Sequence, residues 1–145
     1  MEKTLDKMRR LCSRREYCVA DIRSKLIKAL DADEQKVEEA LQILIKEKYV
    51  DDLRFATAFA RDKASIAGWG EVKIRYMLSA KGISRDVITQ ALEEVDDSKA
   101  SARLVKLLEN KYQSLKDDPQ CRLKLIRFAL GRGYSYDEIV NNIPR

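Results

Sequence analysis

Gly82-Ile83-Ser84-Arg85-Asp86-Val87-Ile88 and Gly133-Tyr134-Ser135-Tyr136-Asp137-Glu138-Ile139 carry one pattern twice, 51 residues apart. The shared Gly-x-Ser-x-Asp-x-Ile reads as a corner between two helices. A cation stands just before it, Lys81 or Arg132, where the negative end of a helix favours positive charge, and the Gly supplies the left-handed conformation that ends that helix. Ser84 and Ser135 are placed to cap the next helix, and Ser135 with Glu138 completes a capping box. Stepping back 51 from Ile88, Ala91 and Leu92 reaches Val37, Ala40 and Leu41, so the helix after the corner recurs a third time.

Outward from these corners, apolar residues keep helical spacing, as in Val37, Leu41, Leu44 and Ile45 or Leu104, Leu107 and Leu108. No segment sustains the alternation of a half-buried strand, and only 5 Gly and 2 Pro interrupt 145 residues. The spacing predicts helices over 3–15, 19–30 and 34–47, then 52–66, 71–81 and 85–94, then 98–114, 119–132 and 136–143. Asp118-Pro119 is expected to open the eighth, with Pro where no donor is needed. The fold class is therefore all-α: three tandem three-helix repeats, residues 1–49, 50–96 and 97–145. A unit this short buries little core alone, so the expectation is a stacked, elongated array, open to curvature. The links around Tyr49-Val50-Asp51 and Val95-Asp96-Asp97 are too short for flexible tethers.

Composition excludes several functions. Histidine is absent, which removes the usual general base, the commonest transition-metal ligand and the Ser-His and Cys-His pairings. There is no phosphate-binding loop, and Gly68-Trp69-Gly70 lacks the strand and third Gly of a dinucleotide fingerprint. Acidic pairs at Glu38-Glu39, Asp51-Asp52 and Asp117-Asp118 read as helix N-terminal acids and solvated faces rather than a cation site. Cys12, Cys18 and Cys121 form no C-x-x-C pair and read as small core or surface residues. The expectation is a non-enzymatic protein with no cofactor, metal or small-molecule substrate. The odd cysteine count, with no signal-like apolar segment, points to the reducing cytoplasm, and no apolar run approaches the roughly 20 residues that span a bilayer.

Charge is the remaining lead. Lys and Arg number 29 against 24 acids, a net charge of +5, and the basic excess falls in the outer thirds. Lys73 recurs as Lys124 and Lys81 as Arg132 on the middle helices of two repeats, a broken basic stripe suited to a regular anionic partner. Arg9, Arg10, Arg14 and Arg15 add a cluster near the start, followed by Arg23, Lys25 and Lys28. A solvated helical face accounts for such runs as well. Trp69 reads either as an aromatic anchor for a partner or as a plug closing a helix corner.

The stretch Val50-Asp51-Asp52-Leu53-Arg54-Phe55-Ala56, then Gly68 to Gly70, Ile74, Leu78, Lys81-Gly82-Ile83 and Ile88, resembles the signature region of RecX proteins. The resemblance takes in the Arg-rich opening, the Leu26 helix with Val37 to Ile45 behind it, and the closing Phe128 and Gly133 to Ile139. It departs at Cys18, where the family often has a capping Ser, and at Lys63, where an Arg is often nearby. The resemblance implies a regulatory protein of homologous recombination and the SOS response. Such a protein inhibits the RecA recombinase by lodging in the groove of the RecA–DNA filament and impeding its extension, ATP turnover and strand exchange. Its partners would be the RecA filament and, within it, DNA; from the charge pattern, the residues expected to meet them are Lys73, Lys81, Lys124, Arg132, Arg9, Arg10, Arg14, Arg15 and Trp69. The competing reading from charge is a helical DNA-binding module that acts without RecA.

Overall fold

A computed structural model describes residues 1–95 and 97–143. Among these there is no strand, and nine α-helices follow in order: α1 (Glu2–Arg14), α2 (Val19–Ala29), α3 (Glu34–Lys46), α4 (Asp52–Ser65), α5 (Glu71–Ala80), α6 (Arg85–Glu93), α7 (Ala100–Leu115), α8 (Cys121–Gly131) and α9 (Tyr136–Asn142). A single 3-10 turn, Asp97–Lys99, precedes α7. The all-α reading and the tandem three-helix pattern hold. The link residue Asp96, and Pro144 and Arg145 at the end of the third repeat, lie outside the described residues.

Both glycine corners form as the pattern requires. Gly82 has φ +80° and Gly133 φ +96°, and the Ser84 and Ser135 hydroxyls accept from the Val87 and Glu138 N–H groups at 3.3 and 3.2 Å. The Glu138 carboxylate accepts in return from the Ser135 N–H at 3.0 Å, which completes the box. Elsewhere side-chain-bearing residues take the same left-handed turn: Asp31 and Ala32 after α2, and Lys48 after α3. Two expectations need correction. Helix α8 begins at Cys121, not Pro119, because the Asp118 carboxylate accepts from the Gln120 N–H at 2.8 Å and its carbonyl from the Cys121 N–H at 3.0 Å, forming a turn before the helix. Lys81 and Arg132 stand just beyond the ends of α5 and α8 rather than on them.

The helices gather into two compact units that cut across the middle sequence repeat: Met1–Ala58 with Leu78–Ala91, and Phe59–Met77 with Leu92–Arg145. In the first, Val37, Ala40, Leu41 and Leu44 turn one face of α3 onto Leu5 and Met8 of α1, Ile22 and Leu26 of α2, and Val50 of the following link. Each fully buried leucine here contributes about 1.5–3 kcal/mol of transfer free energy. Asp51 caps α4 by accepting from the Arg54 N–H at 3.0 Å, while the Asp52 carboxylate accepts from the Val19 N–H at 2.8 Å at the start of α2. Cys18, the N-cap of α2, is wholly buried and its side chain accepts no capping bond, so packing replaces the hydroxyl a Ser would bring. In the second unit Leu104 and Leu108 of α7 meet Leu125 and Ala129 of α8, Tyr134 of the corner and Ile139 of α9.

Candidate functional site

The corner between α4 and α5 explains where three of the nine candidate residues go. Trp69 is half-buried there, its ring edge-on to Phe59 at 6.1 Å between centroids. The Lys63 and Lys73 ammonium groups lie 4.8 and 4.3 Å from its ring centroid, a cation–π arrangement on both sides of it in sequence. The corner is stitched to the one before α9 by backbone: the Gly70 N–H donates to the Arg132 carbonyl at 2.7 Å and the Val72 N–H to the Gly133 carbonyl at 3.0 Å. Side chains add to it. The Tyr134 hydroxyl donates to the Gly68 carbonyl at 3.1 Å, and the Arg132 guanidinium to the Ala67 carbonyl at 3.3 Å while lying 5.1 Å from the Phe128 ring. Glycine is needed at both contact points. A Cβ on Gly70 would lie 2.5 Å from the Gly133 carbonyl carbon, and one on Gly133 would overlap the Lys73 Cβ and lie 2.7 Å from the Lys73 nitrogen.

The structure thus brings Lys73, Arg132 and Trp69 together. The plug reading describes the contacts of Trp69, and its ring is occupied by the protein's own cations. Lys124 stands on the exposed side of α8, paired with Asp118, whose carboxyl is held below its usual range by the Lys124 ammonium and the Gln120 N–H. In the first unit, Arg9 is bound by Glu47 at 2.8 Å and Asp6 at 3.0 Å, contacts that raise its pKa. Arg10 and Arg14 are exposed. Arg15 lies 4.4 Å from the Tyr17 ring centroid and shares a cavity of about 290 Å³ with Lys81, whose ammonium is 3.6 Å from the Asp21 carboxylate. Lys25 and Lys28, outside the candidate set, line that same cavity. Their spacing of three along α2 was the available signal. No grouping of three or more His, Cys, Asp or Glu able to hold a metal occurs among the described residues, and no described helix is long and apolar enough to cross a membrane.

Comparison with known proteins places these features in a family context. Residues 51–92 match the family model described as RecX, second three-helix domain, and residues 99–140 the one described as RecX, third three-helix domain. A protein named regulatory protein RecX from Clostridium botulinum is 35% identical over 111 residues, 74% of this chain and 51% of that protein. The same name belongs to a Vibrio parahaemolyticus protein, 34% identical over 131 residues, 89% of this chain and 82% of that one. The chain spans about half the length of the clostridial relatives it matches. A crystal structure of RecX from Lactobacillus salivarius superposes with a TM-score of 0.81 at 22% identity, covering 97% of this chain and 95% of that one, and a crystal structure titled regulatory protein RecX gives 0.85 at 23% over 96% and 69%. At those identities the two structures speak for the fold.

Proposed function

Since this chain belongs to the RecX family of regulatory proteins, we propose that it regulates homologous recombination by binding the RecA–DNA filament and restraining its extension, ATP turnover and strand exchange. The observation that carries the reading is the match to the Vibrio regulatory protein, 34% identical along 82% of that protein's length. The task requires no bond-making step. It requires cations offered to an anionic assembly, so that several modest contacts add. Arg10, Arg14 and Lys124 supply exposed charge, and Arg9, Arg15, Lys81, Lys73 and Arg132 supply charge anchored by neighbouring groups. Trp69 contributes by fixing the corner that positions Lys73. The setting is the cytoplasm, with neither cofactor nor small-molecule substrate, as part of DNA repair and the SOS response.

The test is RecA ATPase on single-stranded DNA with increasing amounts of this protein. Turnover should fall with dose. Because Lys73 and Arg132 also hold the Trp69 corner, the informative variant reverses exposed charge instead. Arg14→Glu with Lys124→Glu should need about tenfold more protein for equal inhibition, with the gap widest at low salt, where attraction is least screened. Unchanged ATP turnover at saturating wild-type protein would remove the reading.

A further inference from the structure

The cavity that Arg15 and Lys81 share adjoins a second one. The first, about 290 Å³, is lined by Arg15, Tyr17, Asp21, Lys25, Lys28 and Lys81, with Ser24 among them. The second, about 370 Å³, is lined by Lys7, Lys25 and Lys28 over a floor that includes Met8 and Leu11. Lys25 and Lys28 line both, so the two cavities lie side by side as a groove region along α1 and α2 within the first unit. Lys7, Leu11 and Arg15 fall at intervals of four, which keeps them on one side of α1 and its end.

The charge in this groove is unbalanced. Five cations line it against one carboxylate, Asp21, which already has Lys81 at 3.6 Å. Three arginines of the same unit outside the groove are paired with acids, Arg9 with Glu47, Arg23 with Glu38 and Arg54 with Glu16, whereas Arg10, Arg14, Lys36 and Lys46 stand singly on exposed helix faces, so it is the gathering of cations in one concave place that sets the groove apart. Among the described residues none of Lys7, Arg15, Lys25 and Lys28 has such a partner. Like charges gathered in a concave surface repel one another and concentrate the field, so an anion that enters relieves the repulsion. The one aromatic ring present is engaged by cations, with the Arg15 guanidinium 4.4 Å and the Lys25 ammonium 5.5 Å from the Tyr17 centroid. That ring orders the cations and is not a bare stacking platform for a base.

We propose that the groove between α1 and α2 binds a chain of linked phosphates without reading bases. Two adjoining cavities with shared lysines suit successive phosphates rather than one isolated ion. The same chemistry is offered by the backbone of a single nucleic-acid strand and by inorganic polyphosphate, and the assignment stands whether or not the recombinase is the partner.

The test uses the full chain without RecA. Binding of a fluorescent deoxythymidine oligomer is followed by anisotropy over a salt series, a deoxyadenosine oligomer of equal length is compared, and polyphosphate is added as competitor. Lys25→Glu with Lys28→Glu should weaken binding at least about tenfold and flatten the salt dependence by about 1.4 units of log–log slope, as expected for losing two phosphate contacts at roughly 0.7 each. Lys28→Ala, at an exposed position that does not threaten folding, should move affinity the same way by a smaller amount. Lys36→Glu with Lys46→Glu, exposed on α3 and equal in charge change, should stay within about threefold of wild type. Displacement by polyphosphate would mean that phosphate alone suffices, and its failure with intact oligomer binding would assign the sugar–phosphate backbone as the source. The assignment falls if the Lys25/Lys28 variant binds like the α3 control, if the two oligomers differ by more than about tenfold, or if wild-type protein binds neither phosphate chain.

Discussion

The corners at Gly82 and Gly133 start from the same sequence pattern and end in different surroundings. Both glycines are left-handed, both follow a cation, and both precede a serine cap. A Cβ on Gly82 would meet only the Ala20 Cβ, at 3.8 Å, an ordinary contact. On Gly133 it would strike Lys73 and come within 2.9 Å of the Gly70 carbonyl oxygen. The cations diverge in the same way. Each lies over a ring, Lys81 over Phe55 and Arg132 over Phe128, but Lys81 faces a carboxylate, Asp21, whereas Arg132 donates to a backbone carbonyl, that of Ala67. The repeat therefore specifies the turn, while neighbours remote in sequence decide whether the turn is also a packing surface.

The sharpest way to break this comparison is to put the same substitution into both corners. Gly82→Ala adds only the strain of a left-handed alanine, about 1–2 kcal/mol. Gly133→Ala adds the same strain and a backbone collision, and should cost about 3 kcal/mol or more, since the Gly70 and Val72 hydrogen bonds cannot form without that close approach. Urea unfolding followed by Trp69 fluorescence and by helical circular dichroism measures both. Equal midpoint shifts would mean that the Gly133 contact contributes nothing. A smaller effect is expected from Tyr134→Phe, which removes the bond to the Gly68 carbonyl but keeps the buried ring: about 1 kcal/mol. Burial also pushes the Tyr134 phenol above its ordinary pKa. A group whose folded pKa is raised contributes stability that is present below its unfolded pKa and lost as pH rises, so at alkaline pH, where the phenol must ionise on unfolding, wild type should lose its margin over the Phe variant.

Much of this architecture was legible in the chain. Corners written as cation, Gly, x and Ser carry their own causes, so α6 and α9 begin within a residue of expectation. The failures have two origins, one local and one remote in sequence. Pro119 suits a helix start by its own chemistry, but Asp118 accepts from the Gln120 N–H and defers the helix to Cys121. Lys73 and Lys124 are equivalent in sequence, yet Lys73 sits over Trp69 and Lys124 pairs with Asp118, because only the former has a second glycine corner stacked beside it. No periodicity announces the approach of Gly70 to Gly133. The groove cations were within reach, through intervals of four on α1 and three on α2, but α1 and α2 had first to be packed side by side for those intervals to face one another.

The least effect expected is also the most discriminating about the two cations. Lys81 keeps 36% of its side chain exposed and Asp21 28%, at 3.6 Å, with the Lys81 ammonium also 5.6 Å from the Phe55 ring, so the ion pair itself is partly solvated. Exposed pairs of this kind contribute about 0–1 kcal/mol and weaken with added salt. Arg132 bonds to a neutral carbonyl and rests on the Phe128 ring, and neither contact depends on a mobile countercharge that salt could screen. Lys81→Gln should therefore cost no more than about 0.5 kcal/mol in dilute buffer and almost nothing at 1 M salt. Arg132→Gln should cost about 1 kcal/mol or somewhat more in both, because a carbonyl that loses a charged donor and a ring that loses its cation are not compensated by salt. A Lys81→Gln cost that exceeds the Arg132→Gln cost, or an Arg132→Gln cost that vanishes at high salt, would mean that both corners hold their cations by the same surface electrostatics. The distinction between a repeat that merely turns the chain and one that also packs would then rest on the glycines alone.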